Sequence, residues 1–554
     1  MTCALAAAAA AAAAPQAPAK PGAFIQPSLA AAIAQSPNAK YDVILEGDRK
    51  GNSRGFAKNA LGGYSVRRQF RSINGVQLTL TGKQIQLLAK VKLVSAILAN
   101  DTLAPSGDVV PLARSNDQRW AWVTHTPVNW TQSALSDSAP TIAVIDSGVD
   151  AGAAGLGSRL LGQANFVTSG SNSAGDGFGH GTFVADMAAG GADGYAGVAP
   201  NANVLLVDVI NDQGAATVGD VINACDWVLA NKATYNIRVV NLSLQGSDRA
   251  SVFFDPLDQA VEKLWLNGIV VVTAAGNYGT DGRQTEVSYA PGNDPFVITV
   301  GASDVADTVD PSDDTVAPWS AWGYTADGFA KPDLSAPGRY IVAPVPTNGG
   351  LAAERPDAVV APGLMQLSGT SFAAPQVAGA AATILAKHPD WTPDQVKGAL
   401  MVAAQATPAA AAGSLGVGEL DVAAAESTSS PPNPNAGLDQ FVSADSDGSP
   451  VFDSAAWQSA AWGSAAWGSA AWGSAAWSDA AWGSAAWGSA AWSDAAWASA
   501  AWGSAAWSDA AWASAAWSDA AWSSAAAGDP ALPASLMTPD EEAAIEALLG
   551  ITGP

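Results

Sequence analysis

Residues 141–146 read Thr-Ile-Ala-Val-Ile-Asp, an apolar and mostly β-branched run that ends on a carboxylate. A run with no polar alternation predicts a strand that is buried on both faces, as in the parallel sheet of an α/β protein. Asp146 then lies at the carboxyl end of that strand, which is the edge where open α/β sheets bind ligands. The stretch therefore predicts an α/β fold with a functional carboxylate at this edge.

A second motif, Gly179-His180-Gly181-Thr182, places an imidazole between two glycines at the start of a predicted helix. Glycines allow other backbone segments to approach the histidine closely. The two remaining histidines are poorer candidates for a catalytic base. His125 lies in a polar connector, and His388 follows an apolar helix, where a cation only complements the negative helix end. His180 is therefore the predicted base.

A third motif, 369–375, reads Gly-Thr-Ser-Phe-Ala-Ala-Pro and opens the small, apolar run 372–386. This run predicts a buried helix, in which a proline is tolerated because it lies in the first turn. The hydroxyl and amide of Ser371 would then lie at the positive end of the helix. Asn277 follows a predicted strand over 268–273 and can donate a hydrogen bond to an oxyanion beside the Ser371 amide.

An acid, an imidazole and a hydroxyl are the groups that nucleophilic catalysis by serine requires. Taken singly, each residue has an ordinary structural explanation, since Asp after a strand and Ser at a helix start are commonly capping residues. The four motifs together are far more specific than any one of them. The chain order Asp146, His180, Ser371 therefore predicts a serine hydrolase.

These motifs, with Gly197-Val198-Ala199-Pro200 and the segment 331–338, resemble those of the subtilisin-like serine peptidases, the subtilases. The resemblance covers about residues 141–425, half of the chain. It implies a subtilisin-like peptidase domain over 132–426, built on a parallel sheet flanked by helices. It also implies hydrolysis of peptide bonds through an acyl-enzyme on Ser371.

The resemblance further implies roles for single residues, in which Asp146 orients the imidazole, His180 acts as base and acid, and Asn277 stabilises the oxyanion. It implies a substrate-binding strand and an opposite wall at Ser243, Leu244, Gln245 and Gly246 and at Ala274, Ala275 and Gly276. The chain departs from the family at Phe183, where many relatives carry a second histidine. It also departs at Gln245, where glycine is frequent, which leaves the side-chain preference of the enzyme open.

Composition limits the partners. The net charge of −25 over 554 residues argues against nucleic acid, so protein or peptide substrates are the predicted partners. There are two cysteines, Cys3 and Cys225, which excludes a disulfide framework, and Cys225 is predicted to be a buried apolar residue. No cofactor and no metal site is predicted. The sequence leaves calcium binding open, and surface carboxylates such as Asp310, Asp313 and Asp314 ordinarily only face solvent.

The N-terminal part predicts a leader followed by a small α+β domain. Residues 1–19 resemble a signal peptide, although no Lys or Arg precedes the apolar run, so a secreted or cell-surface protein is predicted. Residues 41–100 combine two predicted strands with a helix capped at Thr81, and they carry much of the positive charge. By position they resemble the subtilase propeptide, an inhibitory partner removed by self-cleavage, and an attached unrelated domain is the alternative. The connector 101–131 would hold the maturation site.

Beyond the peptidase region the composition changes to a Ser/Pro-rich linker over 427–452 and an Ala-Ala-Trp pentapeptide tract over 453–524, followed by a short predicted helix over 538–550. Tryptophan recurs at every fifth residue from Trp457 to Trp522, a spacing that gives neither a helix nor a strand one apolar face. Two roles stay open for the tract. It is a spacer, or its indoles contact the cell envelope or polysaccharide.

Two functions are compatible with these features. The first is a secreted serine endopeptidase made as a self-processing zymogen. The second is a cell-surface or polymer-binding protein that uses the Trp tract, with the peptidase fold as a carrier. The sequence favours the enzyme, because all four catalytic positions are filled.

Overall fold

The centre of the computed structural model, which describes residues 23–61, 64–105, 119–130, 140–306 and 308–457, is an eight-stranded sheet. All of its pairings are parallel except one at the edge. In spatial order the strands are Thr315–Val316, Ile298–Asp304, Val270–Ala274, Ile237–Leu242, Thr141–Asp146, Asn203–Asp208 and Leu160–Asn165, with Leu334–Pro337 also paired to Ile298–Asp304. Every residue of Thr141–Asp146 is buried, and the predicted α/β fold is confirmed.

The longest described helix, Thr370–Lys387, crosses the core, and sixteen of its eighteen residues are buried. Its small side chains allow close packing. A Cβ at Gly379 would lie 2.6 Å from the Ala188 carbonyl oxygen of the neighbouring helix. The helices around the central sheet are His180–Ala189, Val218–Asn231, Pro256–Leu266, Thr370–Lys387, Pro393–Ala403 and Val422–Ser427. In the part of the chain that the structure describes, no helix combines the length and hydropathy needed to cross a bilayer.

A separate five-stranded sheet with its own apolar core precedes the central sheet, and we call residues 23–99 the N-terminal unit. Its strands, in spatial order, are Phe24–Ile25, Ala96–Ala99, Lys40–Glu46, Gly75–Thr81 and Arg68–Gln69, and its helices are Pro27–Gln35, Ser53–Ala60 and Gly82–Leu88. The predicted cap is present, because Thr81 and Gln84 form a reciprocal capping box. The unit begins earlier than the predicted residue 41, since its first strand and first helix complete the sheet and core.

Directly after this unit, Thr102–Pro105 forms a strand that leaves the N-terminal sheet and lies antiparallel between Ala216–Thr217 and Leu244–Gln245. Smaller elements complete the described chain. The remaining helices are Arg119–Val123, Pro127–Trp130, Gly350–Glu354 and Ala436–Asp439, with 3-10 turns at Gly157–Arg159, Pro311–Asp313 and Pro356–Ala358. The remaining strands are Gly191–Ala192, Tyr195–Ala196, Thr285–Glu286, Gly323–Tyr324, Ala330–Lys331, Ile341–Pro344, Val359–Ala361, Leu364–Leu367, Val442–Ala444 and Pro450–Phe452.

We call the part of the chain built around the central sheet the catalytic body, because it carries the predicted catalytic residues. The segment predicted as a linker over 427–452 is folded onto this body. It contains a short helix and a two-stranded hairpin, and Phe452 packs its ring 5.1 Å from that of Phe296. The Asn435 side chain donates to the carbonyl oxygen of Phe296 at 3.0 Å. Trp457 is buried against Phe253 and Phe329, at ring distances of 5.7 and 5.1 Å. The linker prediction is wrong. It rests on the high content of Ser and Pro, whereas the packing of this region depends on a few apolar side chains such as Phe452.

Candidate active site

Asp146 and His180 are brought into direct contact at the carboxyl edge of the central sheet. His180 Nδ1 lies 2.7 Å from Asp146 Oδ1, and both side chains are buried. Gly179 precedes His180 with φ +110°, a left-handed conformation that disfavours any larger residue. The carboxylate fixes the ring with Nδ1 protonated and leaves Nε2 able to accept a proton.

Asp176, which the sequence analysis does not identify, ties the Asp146 strand to the His180 helix. Its carboxylate accepts hydrogen bonds from Ser147 Oγ at 2.9 Å, from the Gly179 amide at 2.6 Å and from the Thr182 amide at 2.7 Å. Burial raises the pKa of Asp176 to about 6, and these hydrogen bonds oppose the shift. The sequence offers one signal for this positioning residue, an acid four residues before the histidine in a glycine-rich loop.

Ser371 lies in the first turn of the buried helix Thr370–Lys387 and is itself buried. Its Oγ donates to the carbonyl oxygen of Ser243 at 3.0 Å, and Ser243 Oγ donates to the Ser371 carbonyl oxygen at 2.8 Å. Within the described residues, His180 Nε2 has no hydrogen-bond partner, so its bond with the serine is not formed. Such bonds are commonly long in uncomplexed enzymes.

Phe372, the residue after Ser371, packs its ring against the imidazole of His180. The Phe372 ring lies 5.5 Å from the His180 ring and 4.3 Å from the Phe183 ring. Phe183 is fully buried in this contact. The departure from the family at position 183 therefore serves packing beneath the site.

Asn277 is hydrogen-bonded to the first residue of the helix Thr370–Lys387. Its Oδ1 accepts from the amide and the hydroxyl of Thr370, each at 3.0 Å. The Thr370 hydroxyl in turn accepts from the Gly276 amide at 3.1 Å. With Oδ1 engaged as an acceptor, Nδ2 is the end of the amide that can donate to an oxyanion.

The two segments predicted to form the cleft walls both lie close to the candidate catalytic residues. The wall of Ser243, Leu244, Gln245 and Gly246 is bonded to Ser371 through Ser243, and the wall of Ala274, Ala275 and Gly276 leads into Asn277. We include in the cleft the space between the first wall and Ala216–Thr217, where the strand Thr102–Pro105 of the chain itself lies. Ala104 pairs with Gln245, Pro105 pairs with Leu244, and Leu103 is buried opposite Ala216. The cleft can thus bind an extended chain by adding it as a strand.

The remaining predictions concern cysteine and metal. Cys225 is free and buried in its helix, as predicted. Among the described residues, no group of three or more His, Cys, Asp or Glu side chains is arranged to hold a metal ion. Asp310 accepts from the Ser312 amide in a surface turn, whereas Asp314 is buried, contrary to the expected solvent exposure.

Comparison with known proteins gives consistent matches. The family model described as "Subtilase family" matches residues 137–424. Serine protease AprX of Bacillus subtilis is 39% identical over 274 residues, which is 48% of this chain and 60% of AprX, so the match spans less than two thirds of that relative. Subtilisin J of Geobacillus stearothermophilus is 32% identical over 379 residues, 68% of this chain and 87% of the relative.

One solved structure gives the same fold. The structure of fervidolysin from Fervidobacterium pennivorans, described as a keratinolytic enzyme related to subtilisin, superposes with a TM-score of 0.56. The match covers 74% of this chain and 63% of fervidolysin at 20% identity. At this identity the likeness concerns the fold alone.

Proposed function

This chain belongs to the subtilase family of serine endopeptidases, and we propose that it is exported as a self-processing zymogen and cleaves peptide bonds through an acyl-enzyme on Ser371. The observation that carries the proposal is the contact between Asp146 and His180 beside a cleft that holds a strand of the chain itself. Export is proposed from the apolar run near the N-terminus.

In the proposed reaction, Ser371 Oγ turns from Ser243 towards His180 Nε2, which accepts its proton as Oγ attacks the substrate carbonyl carbon. The Asn277 Nδ2 and the Ser371 amide stabilise the resulting oxyanion. His180 then gives the proton to the leaving amine as the C–N bond breaks. A water molecule, deprotonated by His180, attacks the acyl-enzyme, and His180 returns this proton to Ser371 Oγ as the ester bond breaks and the acid is released. Asp146 stabilises the imidazolium in both steps.

The zymogen part of the proposal rests on how the N-terminal unit contacts the catalytic body. The basic groups of the unit meet acidic groups of the body, with Arg49 2.8 Å from Glu262 and Arg68 3.3 Å from Asp220. The Asp226 carboxylate accepts from the Arg71 amide at 2.7 Å. A unit docked this way, with its following strand in the cleft, acts as an inhibitor until the connection is cut and the unit leaves.

The pairing register predicts the bond that is cut. The described strand ends at Pro105, opposite Leu244 and one pairing step from Ser243, whose carbonyl oxygen accepts a hydrogen bond from Ser371 Oγ. We therefore expect self-cleavage between Ser106 and Gly107, and intact-mass analysis of the purified chain should give a mature form that begins at Gly107. Leu103→Asp should slow this cleavage, because Leu103 is buried opposite Ala216, whereas Leu93→Asp, at an exposed site of the N-terminal unit, should not. A chain that stays intact, or is first cut beyond residue 131, would refute the proposed processing.

Release of the N-terminal unit should quicken as the pH rises. Glu46 is buried at the interface, where Gln259 of the body donates to it at 2.8 Å. Burial raises the pKa of Glu46 from 4.5 to about 8. The Arg49 charge and the Gln259 hydrogen bond lower this pKa, and the negative charge of Asp255 raises it. Because separation lets water reach Glu46, the docked form binds the proton more tightly than the released form. Docking is therefore strongest below the released-state pKa and weakens from about pH 4.5 to 8, by up to about tenfold per pH unit.

The measurement is the lag between self-cleavage and the appearance of activity on a small peptide, from pH 5 to pH 8. The lag should shorten with rising pH, and Glu46→Gln should keep it long at pH 8, because the neutral amide stays uncharged. Burial also raises the pKa of Asp226, so Asp226 can contribute to the pH dependence of the lag. The difference between the wild type and Glu46→Gln gives the contribution of Glu46 alone. Equal pH dependence in both would show that Glu46 does not control release.

A further inference from the structure

We propose that Gln245 restricts the substrate residue whose carbonyl is attacked, the P1 residue, to small side chains and favours those with a hydroxyl. The inference rests on the proposed function and names its substrate class, protein segments with Ser or another small residue at P1. The cleft lies between the wall that carries Gln245 and the wall that ends at Gly276. In this chain the Gln245 side chain extends across the gap between the two walls.

The closeness of the two walls can be measured at Gly276. A Cβ atom placed on Gly276 would lie 2.5 Å from Gln245 Oε1 and 2.4 Å from Tyr278 Cε1. Gly276 has φ +107°, so it is a glycine for conformational reasons as well as for space. The Gln245 amide therefore lies against the backbone of the opposite wall, one residue before Asn277, and takes up the space between the walls.

The aromatic side chain beyond Gln245 is firmly held. Tyr278 accepts from the Ser288 amide at 2.8 Å and packs edge-on against Tyr289, with ring centres 4.6 Å apart. A large P1 side chain therefore cannot make room by displacing Tyr278 at low cost. It must swing Gln245 out of the cleft, and a small P1 side chain need not do so.

The Gln245 amide also offers a specific interaction. Its Oε1 is buried and, among the described residues, has no hydrogen-bond partner. An unpaired buried acceptor is unfavourable, and a donor that reaches it removes the penalty. A hydroxyl on the P1 residue is such a donor, while alanine fits the space without pairing the oxygen. The residue after Pro105 in the chain's own cleft segment is a serine.

The test uses the mature enzyme and a peptide series that differs only at P1, with Ser, Ala, Leu and Phe. We expect kcat/KM to fall in the order Ser, Ala, Leu, Phe, with Phe at least about tenfold below Ser. Gln245→Gly should raise kcat/KM for Phe at least about tenfold and lower it for Ser, because the space opens and the acceptor is lost. Gln245→Leu should keep the discrimination against Phe but lose the preference for Ser over Ala.

Gln440→Gly, at a surface position far from the cleft in sequence, is the matched control and should leave all four ratios unchanged. A wild-type enzyme that prefers Phe, or a Gln245→Gly enzyme whose Phe-to-Ser ratio stays within twofold of wild type, would overturn the inference. Absence of cleavage of every peptide by the wild-type protein would instead contradict the proposed function. The two failures are therefore distinguishable.

Discussion

Replacing Ser371 by alanine should lower kcat by ~10⁶-fold and leave the protein folded at its full precursor length. The alanine removes the only atom that forms the acyl-enzyme in the proposed mechanism. It also removes the side-chain hydrogen bond from Oγ to the Ser243 carbonyl oxygen, and the rest of the buried helix is unchanged in sequence. Loss of activity and loss of processing should therefore occur together, without unfolding.

Three measurements on Ser371→Ala separate the chemistry from the fold: intact mass, thermal unfolding and turnover of a small peptide. Added wild-type enzyme should cut the Ser371→Ala chain at the bond expected for self-cleavage, because the substrate segment is unchanged. Ser427→Ala, at an exposed helix end, is the matched control and should mature normally. A Ser371→Ala protein that matures alone at the wild-type rate would assign the cleavage to another residue.

The second large effect concerns the C-terminal boundary of the catalytic body. A chain that ends after Glu426 should be less stable than one that ends after Trp457 by about 5 kcal/mol or more, since truncating one buried Phe or Trp side chain to alanine already costs about 3–5 kcal/mol. The shorter chain loses Phe452 from its contact with Phe296 and Trp457 from its contacts with Phe253 and Phe329. Proteins of this kind are stable by only about 5–15 kcal/mol, so the shorter chain should be largely inactive at 37 °C.

Thermal unfolding and small-peptide activity of the two truncated chains, both made from the mature N-terminus, provide the check. The chain ending after Trp457 should match the full-length enzyme in both, because the catalytic motifs and the aromatic anchors are all present. Equal stability of the two truncated chains would mean that the hairpin and Trp457 contribute nothing to the body. The composition of residues 427–452, taken alone, predicts the opposite result, namely that truncation after Glu426 changes neither stability nor activity.

This contrast indicates what the sequence can and cannot predict here. The strand Thr141–Asp146 and the helix Thr370–Lys387 are predictable because their burial is continuous along the chain, so the local pattern is unambiguous. The contact between Asp146 and His180 follows from motif order. The strand, the helix and the catalytic motifs are each recognised from a short segment alone, without knowledge of the distant residues that it contacts.

The features that were missed depend on contacts between distant segments. The role of Asp176 arises because a loop folds back to bring Ser147, Gly179 and Thr182 around one carboxylate. The first strand of the N-terminal unit has only two residues, and it is defined by its pairing with Ala96–Ala99. A two-residue strand has too few residues to form a periodic pattern, so no sequence signal precedes the structure in this case.

The Trp tract beyond Trp457 lies outside the described residues, as do the segments 1–19 and 538–550. Its first tryptophan is part of the catalytic body, buried between Phe253 and Phe329. The envelope or polysaccharide contact predicted for the other thirteen tryptophans stays a prediction. Retention on isolated cell envelope should be compared between the full chain and a chain ending after Trp457, since this truncation leaves the body intact.

The central claim is that Ser371 is activated by His180 and Asp146, and covalent labelling tests it most directly. The mature protein is treated with a fluorophosphonate, and the modified residue is located by peptide mapping. We expect one adduct, on Ser371, formed at least about 10³-fold more slowly in His180→Ala, because the general base is missing. The labelling rate of Ser427→Ala should equal that of the wild type. An active enzyme that carries no label on Ser371, or a His180→Ala protein labelled at the wild-type rate, would contradict the account.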